Sequence, residues 1–375
     1  MRWDIFCSVV DNLGDIGVCW RLARQLAAEH AASVRLWVDD LGTFRQLAPS
    51  LDPGATVQSL GDIEVREWKM PFALVEPADI VVETFGCELP AAYVDAMAKR
   101  ARAPVWINLE YLSAETWVDR CHGLPSPHPR LPLVKYFFFP GFTANTGGVV
   151  IERGLTRRRQ TFQRDGAAMR EFLHGLGVAA QTQGEILMSL FCYPQAPLIA
   201  LLEAFAAGSR PIRVMSFDGT PGAQALRAFG LHGGLRRGAL AGEILPFLAQ
   251  DDYDRVLWAC DWNFVRGEDS MVRAQLAARP LVWQAYPQPG NAHEIKLQAF
   301  LDRYCASTEI RRCVDALWLS WNALMPAPGL AGAWADCMEE RNQAELATAA
   351  GQWPAHLEAL GDLAGNLHNF CAERV

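Results

Sequence analysis

Several signatures of common chemistries are missing from this sequence. It has no GxGxxG dinucleotide fingerprint, no GxxxxGK[ST] phosphate loop and no HExxH zinc motif, and none of its ten cysteines forms a CxxC pair. The eight histidines show no metal-ligand spacing. Asp252-Tyr253-Asp254 spells DxD, but the triplet opens a predicted helix, where aspartate is a common capping residue. We therefore expect no metal and no cofactor.

An excess of basic residues is also missing. The chain carries 34 Lys and Arg against 42 Asp and Glu, a formal net charge of -8. A protein that binds nucleic acids generally would present a basic face, so this balance excludes that class, although a local basic patch can still bind phosphate. With 51% hydrophobic and 20% charged residues, the composition is that of a folded protein.

Signals for export and for membrane insertion are absent as well. The sequence opens on MRWDIFCSVVDN, without an apolar run followed by a cleavage site. No apolar stretch reaches the length of a membrane span without charges or glycine. We therefore expect a cytoplasmic protein with free thiols and no membrane partner.

Strand-like apolar runs alternate with helical patterns in both halves of the chain, and 375 residues suit two domains. In the first half, strands are predicted at residues 3–10, 34–38, 80–83 and 105–109, and a helix at 18–29. In the second half, strands are predicted at 186–191, 212–217, 262–265 and 281–283, with helices at 197–207, 223–229, 251–260 and 270–278. This alternation predicts an α/β protein made of two Rossmann-like domains with mostly parallel sheets.

Two carboxylates flank a glycine in the loop after the first predicted strand. Asp11 and Asp15 lie at the first strand-to-helix turn, where ligands bind in open parallel sheets. In one interpretation Asp15 is a helix cap, which is common for aspartate before a helix. In the other, the pair faces a binding site and handles a proton or a cation. The spacing alone leaves both interpretations open.

The segment RGEDSMVRAQLAARP leaves a later strand and opens a helix. Ser270 is placed as an N-cap, and the helix start offers unpaired N–H groups and a positive dipole end. With Arg266 nearby, the segment suits a diphosphate. A capped surface helix with a neighbouring arginine explains the same pattern equally well.

Aromatic residues surround this segment in the second half of the chain. Each is most simply a core residue, but together they could stack on a pyrimidine ring, and a tyrosine beyond the next strand could donate to a phosphate. They are Phe191, Tyr193, Phe247, Tyr253 and Tyr286.

Longer motifs resemble one family over nearly the whole chain and in the same order. The sequence is similar to the EarP family, the protein-arginine rhamnosyltransferases of bacterial elongation factor P. The stretches that carry the resemblance are IFCSVVDNLGDIGVCWRLARQL, VVETFGCELP, INLEYLSAE, PSPHP, KYFFFPGF and RGEDSMVRAQLAARPLVWQAYPQ.

The resemblance implies a GT-B glycosyltransferase fold, with two Rossmann-like domains facing across a cleft. Residues 1–177 would bind the acceptor, 178–354 would bind the nucleotide-sugar donor, and a C-terminal helix at about 355–375 would pack back on the first domain. The implied reaction transfers L-rhamnose from dTDP-β-L-rhamnose to an arginine of elongation factor P, with inversion and without a metal. It activates the factor, which relieves ribosomes stalled on proline runs.

Site roles also follow from the resemblance, position by position. Asp15 corresponds to the catalytic base and Asp11 to its partner in binding or orienting the acceptor. Glu268 corresponds to a position that is important for activity and is grouped with these catalytic residues, and its expected role is to shape the donor loop. The nucleotide and pyrophosphate contacts correspond to Arg266, Asp269, Ser270 and Tyr286. The thymine pocket corresponds to Phe191, Tyr193, Phe247, Gln250 and Tyr253, the last of which replaces the phenylalanine expected in the family.

Three alternatives remain open on the residues alone. An NAD(P)-dependent Rossmann enzyme would need the missing glycine fingerprint, although Asp39 and Asp40 supply the acidic residue at the next strand end. A glycosyltransferase could use another nucleotide-deoxysugar or another acceptor. A non-catalytic nucleotide-sugar binding protein would bind donor without needing Asp15.

Overall fold

The computed structural model describes residues 1–11, 13–72, 75–288, 290, 292–305, 308–326 and 329–375. The chain divides into two compact units. The first joins Met1–Arg153 with Leu357–Val375, and the second is Gly154–His356.

An eight-stranded sheet forms the centre of the first unit. Its strands are β1 (Arg2–Cys7), β2 (Ser33–Val38), β3 (Val57–Leu60), β4 (Ile63–Glu67), β5 (Ile80–Thr84), β6 (Val105–Leu109), β7 (Pro125–Pro127) and β8 (Val134–Phe138). They lie in the order β3-β4-β2-β1-β5-β6-β8-β7. The six inner strands are parallel, and the edge strands β3 and β7 are antiparallel to their neighbours.

Helices of the first unit follow the strands of this sheet. They are α1 (Leu13–His30), α2 (Leu41–Leu47), α3 (Ala91–Ala98), α4 (Val118–Cys121) and the C-terminal α15 (Leu363–Ala372). Helix α15 packs on α1, where the rings of His30 and His368 stack with centroids 4.6 Å apart. Strands β5 and β6 are buried along their whole length, as expected for parallel strands covered on both faces.

The second unit contains a six-stranded sheet with the order β11-β12-β10-β9-β13-β14. These strands are β9 (Ile186–Leu190), β10 (Ile212–Phe217), β11 (Arg236–Arg237), β12 (Leu240–Leu245), β13 (Trp262–Arg266) and β14 (Leu281–Gln284). All are parallel except the short edge strand β11.

Ten helices of the described residues begin in the second unit. They are α5 (Leu155–Arg164), α6 (Gly166–Gly175), α7 (Leu198–Ala207), α8 (Pro221–Ala228), α9 (Gln250–Ala259), α10 (Asp269–Leu276), α11 (Ala292–Tyr304), α12 (Thr308–Trp321), α13 (Gly329–Cys337) and α14 (Glu340–Ala359). The chain returns to the first unit near the end of α14.

The expected α/β architecture is confirmed, and most predicted strands agree with the structure to within a few residues. The first strand ends at Cys7, before the predicted residue 10, and the first helix begins at Leu13, before the predicted residue 18. Helices α5 and α6 lie in the second unit, so this unit begins before the predicted boundary at 177. Six strands were not predicted, and they are β3, β4, β7, β8, β11 and β12.

All ten cysteines are free, as the sequence predicts for a chain without paired thiols. Most are buried in the interior of one or the other unit, where they behave as small apolar side chains. Among the helices of the described ranges, none combines the length and the hydropathy needed to span a bilayer.

Candidate active site

The carboxylate of Asp15 is held inside the turn that joins β1 to α1. Asp15 is the third residue of α1 and is only 2% exposed. Its Oδ2 accepts hydrogen bonds from the backbone N–H groups of Val10 at 2.9 Å and Asp11 at 2.7 Å. The interpretation of Asp15 as an ordinary N-cap is therefore wrong, because its side chain reaches back to the loop and is not positioned before the helix.

Two opposing effects set the pKa of the Asp15 carboxyl. Burial is the larger effect and raises the pKa above its ordinary value. The two backbone N–H groups and a hydrogen bond from the Tyr111 hydroxyl lower it, and the nearby Asp39 raises it. A buried carboxylate with a raised pKa is a stronger base than an exposed one, which suits proton abstraction near neutral pH.

Gly14 determines where the side chain of Asp11 can lie. The N–H of Gly14 donates to the Asp11 carbonyl at 2.7 Å, which closes the turn. A Cβ at residue 14 would lie 2.7 Å from Oδ2 of Asp11. The glycine thus leaves the space that the Asp11 carboxylate occupies, and the structure brings both predicted aspartates into one turn.

Two aromatic residues that were not among the predicted site residues lie beside this turn. The rings of Phe85 and Tyr111 are stacked, with centroids 4.4 Å apart and an interplanar angle of 13°. Tyr111 also donates the hydrogen bond to Asp15 described above. Both residues fall within the motifs VVETFGCELP and INLEYLSAE, but an aromatic residue after a strand is most simply interpreted as core.

A second group of predicted residues lies where β13 leads into α10. Glu268 occupies the N-cap position of α10, and Asp269 is its first residue. The hydroxyl of Ser270 donates to the carbonyl of Arg266 and accepts from the N–H of Arg266 at 3.1 Å. The predicted N-cap role of Ser270 is therefore wrong, since its side chain closes the loop between strand and helix.

The side chain of Arg266 lies between two aromatic rings. The guanidinium carbon is 4.6 Å from the ring centroid of Phe191 and 4.5 Å from that of Tyr193. Tyr193 makes an edge contact with Tyr286, at 5.5 Å between centroids. Tyr286 is 49% exposed. Four of the predicted donor residues thus form one connected group.

The remaining donor residues surround the start of α9. Gln250, its first residue, donates from Nε2 to Oδ2 of Asp269 at 3.3 Å and is 3% exposed. Tyr253 packs edge-on against Phe191 at 6.0 Å, and burial raises the pKa of its hydroxyl. Phe247 is half-buried on the loop before α9. The structure therefore joins Gln250 and Tyr253, two of the residues predicted to form the thymine pocket, to the group around Arg266.

Both carboxylates of the DxD triplet are engaged in ion pairs. Asp252 pairs with Arg255 at 3.2 Å within α9, and Asp254 pairs with the buried Arg273 of α10 at 2.6 Å. In the part of the chain that the structure describes, no group of three or more His, Cys, Asp or Glu side chains has a geometry that could hold a metal ion. The capping role predicted for the triplet is wrong, because the N-cap of α9 is Ala249 and both aspartates lie inside the helix, in ion pairs.

Comparison with known proteins gives consistent matches over the full chain. The family described as Elongation-Factor P (EF-P) rhamnosyltransferase EarP matches residues 3–372. A protein-arginine rhamnosyltransferase of Pseudomonas aeruginosa PAO1 is 49% identical over 378 residues, covering 99% of each chain. Another from Shewanella oneidensis MR-1 is 41% identical over 81% of each chain.

Solved structures agree with these matches. A structure that describes EarP-mediated arginine glycosylation of translation elongation factor EF-P superposes with a TM-score of 0.68 and 34% identity, covering 100% of this chain and 99% of that chain. A UDP-glucosyltransferase from Polygonum tinctorium superposes with a TM-score of 0.52 at 12% identity, covering 99% of this chain and 98% of that chain, which shows the fold alone. The architecture is that of GT-B glycosyltransferases.

Proposed function

Because the chain belongs to the EarP family and is a protein-arginine rhamnosyltransferase, we propose that its donor is dTDP-β-L-rhamnose and its acceptor an arginine of elongation factor P. The transfer inverts the anomeric centre and needs no metal. The modification activates the factor, which relieves ribosomes stalled on proline runs. The enzyme works in the cytoplasm, where the factor meets the ribosome.

The buried carboxylate of Asp15 is the observation that carries this proposal. An arginine guanidinium has a pKa above about 12 and delocalised lone pairs, so it is a poor nucleophile. Asp11 and Asp15 together can bind its N–H groups by charge-assisted hydrogen bonds and hold the positive charge away from the attacking nitrogen. As the C–N bond forms, that nitrogen becomes more acidic, and Asp15 accepts its proton as general base.

The donor residues act on the leaving nucleotide. The thymine ring binds among Phe191, Phe247, Gln250 and Tyr253, with Tyr193 beside it. Arg266 and Tyr286, together with the N-terminus of α10 at Asp269 and Ser270, bind the diphosphate. They stabilise the negative charge that develops on it as its bond to the anomeric carbon breaks and dTDP leaves. Glu268, at the N-cap position, shapes the loop that carries these groups.

The experiment follows the mass of the acceptor. Purified enzyme is incubated with dTDP-β-L-rhamnose and elongation factor P, and intact-mass spectrometry measures the product. We expect a gain of one deoxyhexose, mapped to an arginine by fragmentation. The gain should be lost with Asp15→Asn and retained with Asp62→Asn, a matched change on the exposed turn between β3 and β4.

The outcomes separate this proposal from its alternatives. If dTDP-rhamnose binds but no transfer occurs, the acceptor assignment is rejected, and other nucleotide-deoxysugars and acceptors become the next candidates. If transfer occurs and Asp15→Asn retains it, the role of Asp15 is rejected. A non-catalytic nucleotide-sugar binding protein would bind donor equally well with either aspartate variant and modify nothing.

A further inference from the structure

The topology of the first sheet brings three loops together at the carboxyl ends of neighbouring strands. Strands β1, β5 and β6 are adjacent and parallel, so their carboxyl ends point the same way. Asp15 follows β1, Phe85 follows β5, and Tyr111 follows β6. Phe85 thus lies in the loop after β5, the middle strand of the three, and its ring stacks on the ring of Tyr111.

The loop after β5 adopts an unusual conformation at this point. Phe85 has φ = 55°, in the left-handed region that non-glycine residues rarely adopt, and Gly86 follows with φ = 68°. The N–H of Phe85 donates to the Leu109 carbonyl at 2.7 Å, which ties the loop to the end of β6. Left-handed residues of this kind cluster at binding sites, where the surrounding structure over-determines them. Here the conformation places an aromatic ring against Tyr111.

We infer that Tyr111, held by its stacking on Phe85, is a positioning residue that orients the Asp15 carboxylate for proton transfer from the acceptor arginine. The inference rests on the proposed function and extends it to a residue outside the two aspartates. The hydroxyl of Tyr111 donates to the Asp15 carboxylate, while the N–H groups of Val10 and Asp11 donate to its Oδ2. The carboxylate is thus held both from its own loop and from the loop after β6.

The titratable groups near Asp15 act on its ionisation in opposite directions. Asp39, which accepts from Ser8 and Val9 at the end of β1, raises the pKa of Asp15 by its negative charge. The buried thiol of Cys7 is close enough to interact with Asp15, and Asp11 lies on the same turn. The Tyr111 hydrogen bond acts in the opposite direction and lowers the pKa of Asp15. Removal of this bond should therefore leave more of Asp15 protonated at a given pH.

The test compares Tyr111→Phe with wild type across pH. Loss of a hydrogen bond to a charged group should lower kcat/KM for the acceptor about tenfold on the acid side, and the difference should narrow as pH rises. The acid limb of the profile should move to higher pH, while the Kd for dTDP stays unchanged. Phe85→Leu, which removes the stacking partner but keeps the hydroxyl, should give a smaller change in the same direction.

Tyr136→Phe is the matched control, because Tyr136 lies on β8 of the same unit and packs against Phe370. Tyr136→Phe should leave the pH profile of kcat/KM unchanged. A uniform loss of activity at every pH with Tyr111→Phe, or an unshifted acid limb, would overturn the inference and leave the proposed function intact.

A second readout does not depend on catalysis. The carboxyl carbon of Asp15, assigned by comparison with Asp15→Asn, is titrated by NMR in wild type and in Tyr111→Phe. A higher pKa in the variant supports the inference even if the acceptor assignment fails, and an equal pKa rejects it.

Discussion

Arg273 and Asp254 form a buried two-point ion pair between α10 and α9. The Nη2–Oδ2 distance is 2.6 Å and the Nε–Oδ1 distance is 3.1 Å. Both side chains are almost fully buried. One turn away, Gln250 and Asp269 join the starts of the same two helices. The ion pair therefore fixes the spacing of the two helix starts to which we assign the thymine and diphosphate contacts.

Asp254→Asn should weaken donor binding as well as stability. Breaking a buried ion pair on one side leaves a charge uncompensated and costs roughly 3–5 kcal/mol of unfolding free energy. Because α9 and α10 then lose their fixed spacing, we expect the Kd for dTDP to rise by about tenfold or more. Calorimetric titration with dTDP and denaturant unfolding measure the two effects separately.

Glu243→Gln provides the comparison for that experiment. Glu243 of β12 pairs with Arg213 of β10 at 2.5 Å, and both side chains are buried in the same unit. The variant should also lose stability, although less than Asp254→Asn because Arg213 keeps its ion pair with Glu185 at 3.2 Å, and it should keep the wild-type Kd for dTDP. Equal losses of dTDP affinity in both variants would show that general destabilisation is responsible, and the positioning role of Asp254 would be rejected.

Gly14→Ala tests the position of the Asp11 carboxylate. The added Cβ would come within 2.7 Å of Asp11 Oδ2, and the flexible end of that side chain is the part that can move. We expect unchanged dTDP affinity, little change in stability and a drop in acceptor kcat/KM of about tenfold. Gly332→Ala in α13, where a Cβ meets nothing within 4 Å, should change neither quantity. Retained activity in Gly14→Ala would argue against a role for Asp11 in acceptor binding.

Arg266→Lys tests whether shape as well as charge matters in the donor group. Lysine keeps the positive charge, but it loses the planar fork and the stacking on Phe191 and Tyr193. The Kd for dTDP should rise about tenfold or more. Arg237→Lys is the control, because Arg237 also stacks on a ring, that of Phe229, at 4.9 Å. Its substitution should leave dTDP binding unchanged.

Most of the fold was predictable because parallel strands are buried on both faces and form continuous apolar runs. Residues 80–84 and 212–217 are buried along their whole length and mostly apolar, and they were predicted nearly to the residue. Strand β12 was missed because its sequence, LAGEIL, contains a glycine and a glutamate. Glu243 is buried there only because Arg213 on the neighbouring strand neutralises it. A pairing between distant residues of this kind leaves no periodic signal in either strand.

Part of the candidate site could be predicted because its residues follow strands that the sequence itself indicates. The two aspartates and the Arg266 segment follow predicted strands, where ligands bind in parallel sheets. Tyr111 follows a predicted strand too, but its hydrogen bond to Asp15 depends on the strand order β1-β5-β6, which the alternating pattern does not specify. The Ser270 hydroxyl would bond to nearby backbone groups whether it capped α10 or closed the loop before it. The sequence does not distinguish these two roles.

The burial of Asp15 predicts that its ionised carboxylate destabilises the protein at neutral pH. The pKa of Asp15 is raised in the folded state, so the folded state binds this proton more tightly than the unfolded state. The favourable contribution of Asp15 to the free energy of unfolding is complete at pH values below the pKa of this residue in the unfolded state, which is about 3.9. The contribution is lost as pH rises through the pKa of Asp15 in the folded state. Above that pH, the buried negative charge lowers the free energy of unfolding.

Asp15→Asn removes the charge while its side-chain oxygen can still accept from Val10 and Asp11. The variant should therefore be more stable than wild type at pH 7, and the difference should shrink as pH falls towards 4. Denaturant unfolding of both proteins across this range measures the effect, and each 1.4 kcal/mol of difference corresponds to about one unit of pKa shift. Asp62→Asn, at an exposed position, should show no such dependence of its stability difference from wild type on pH. A constant difference between Asp15→Asn and wild type at every pH would mean that the effect comes from packing and not from the buried charge.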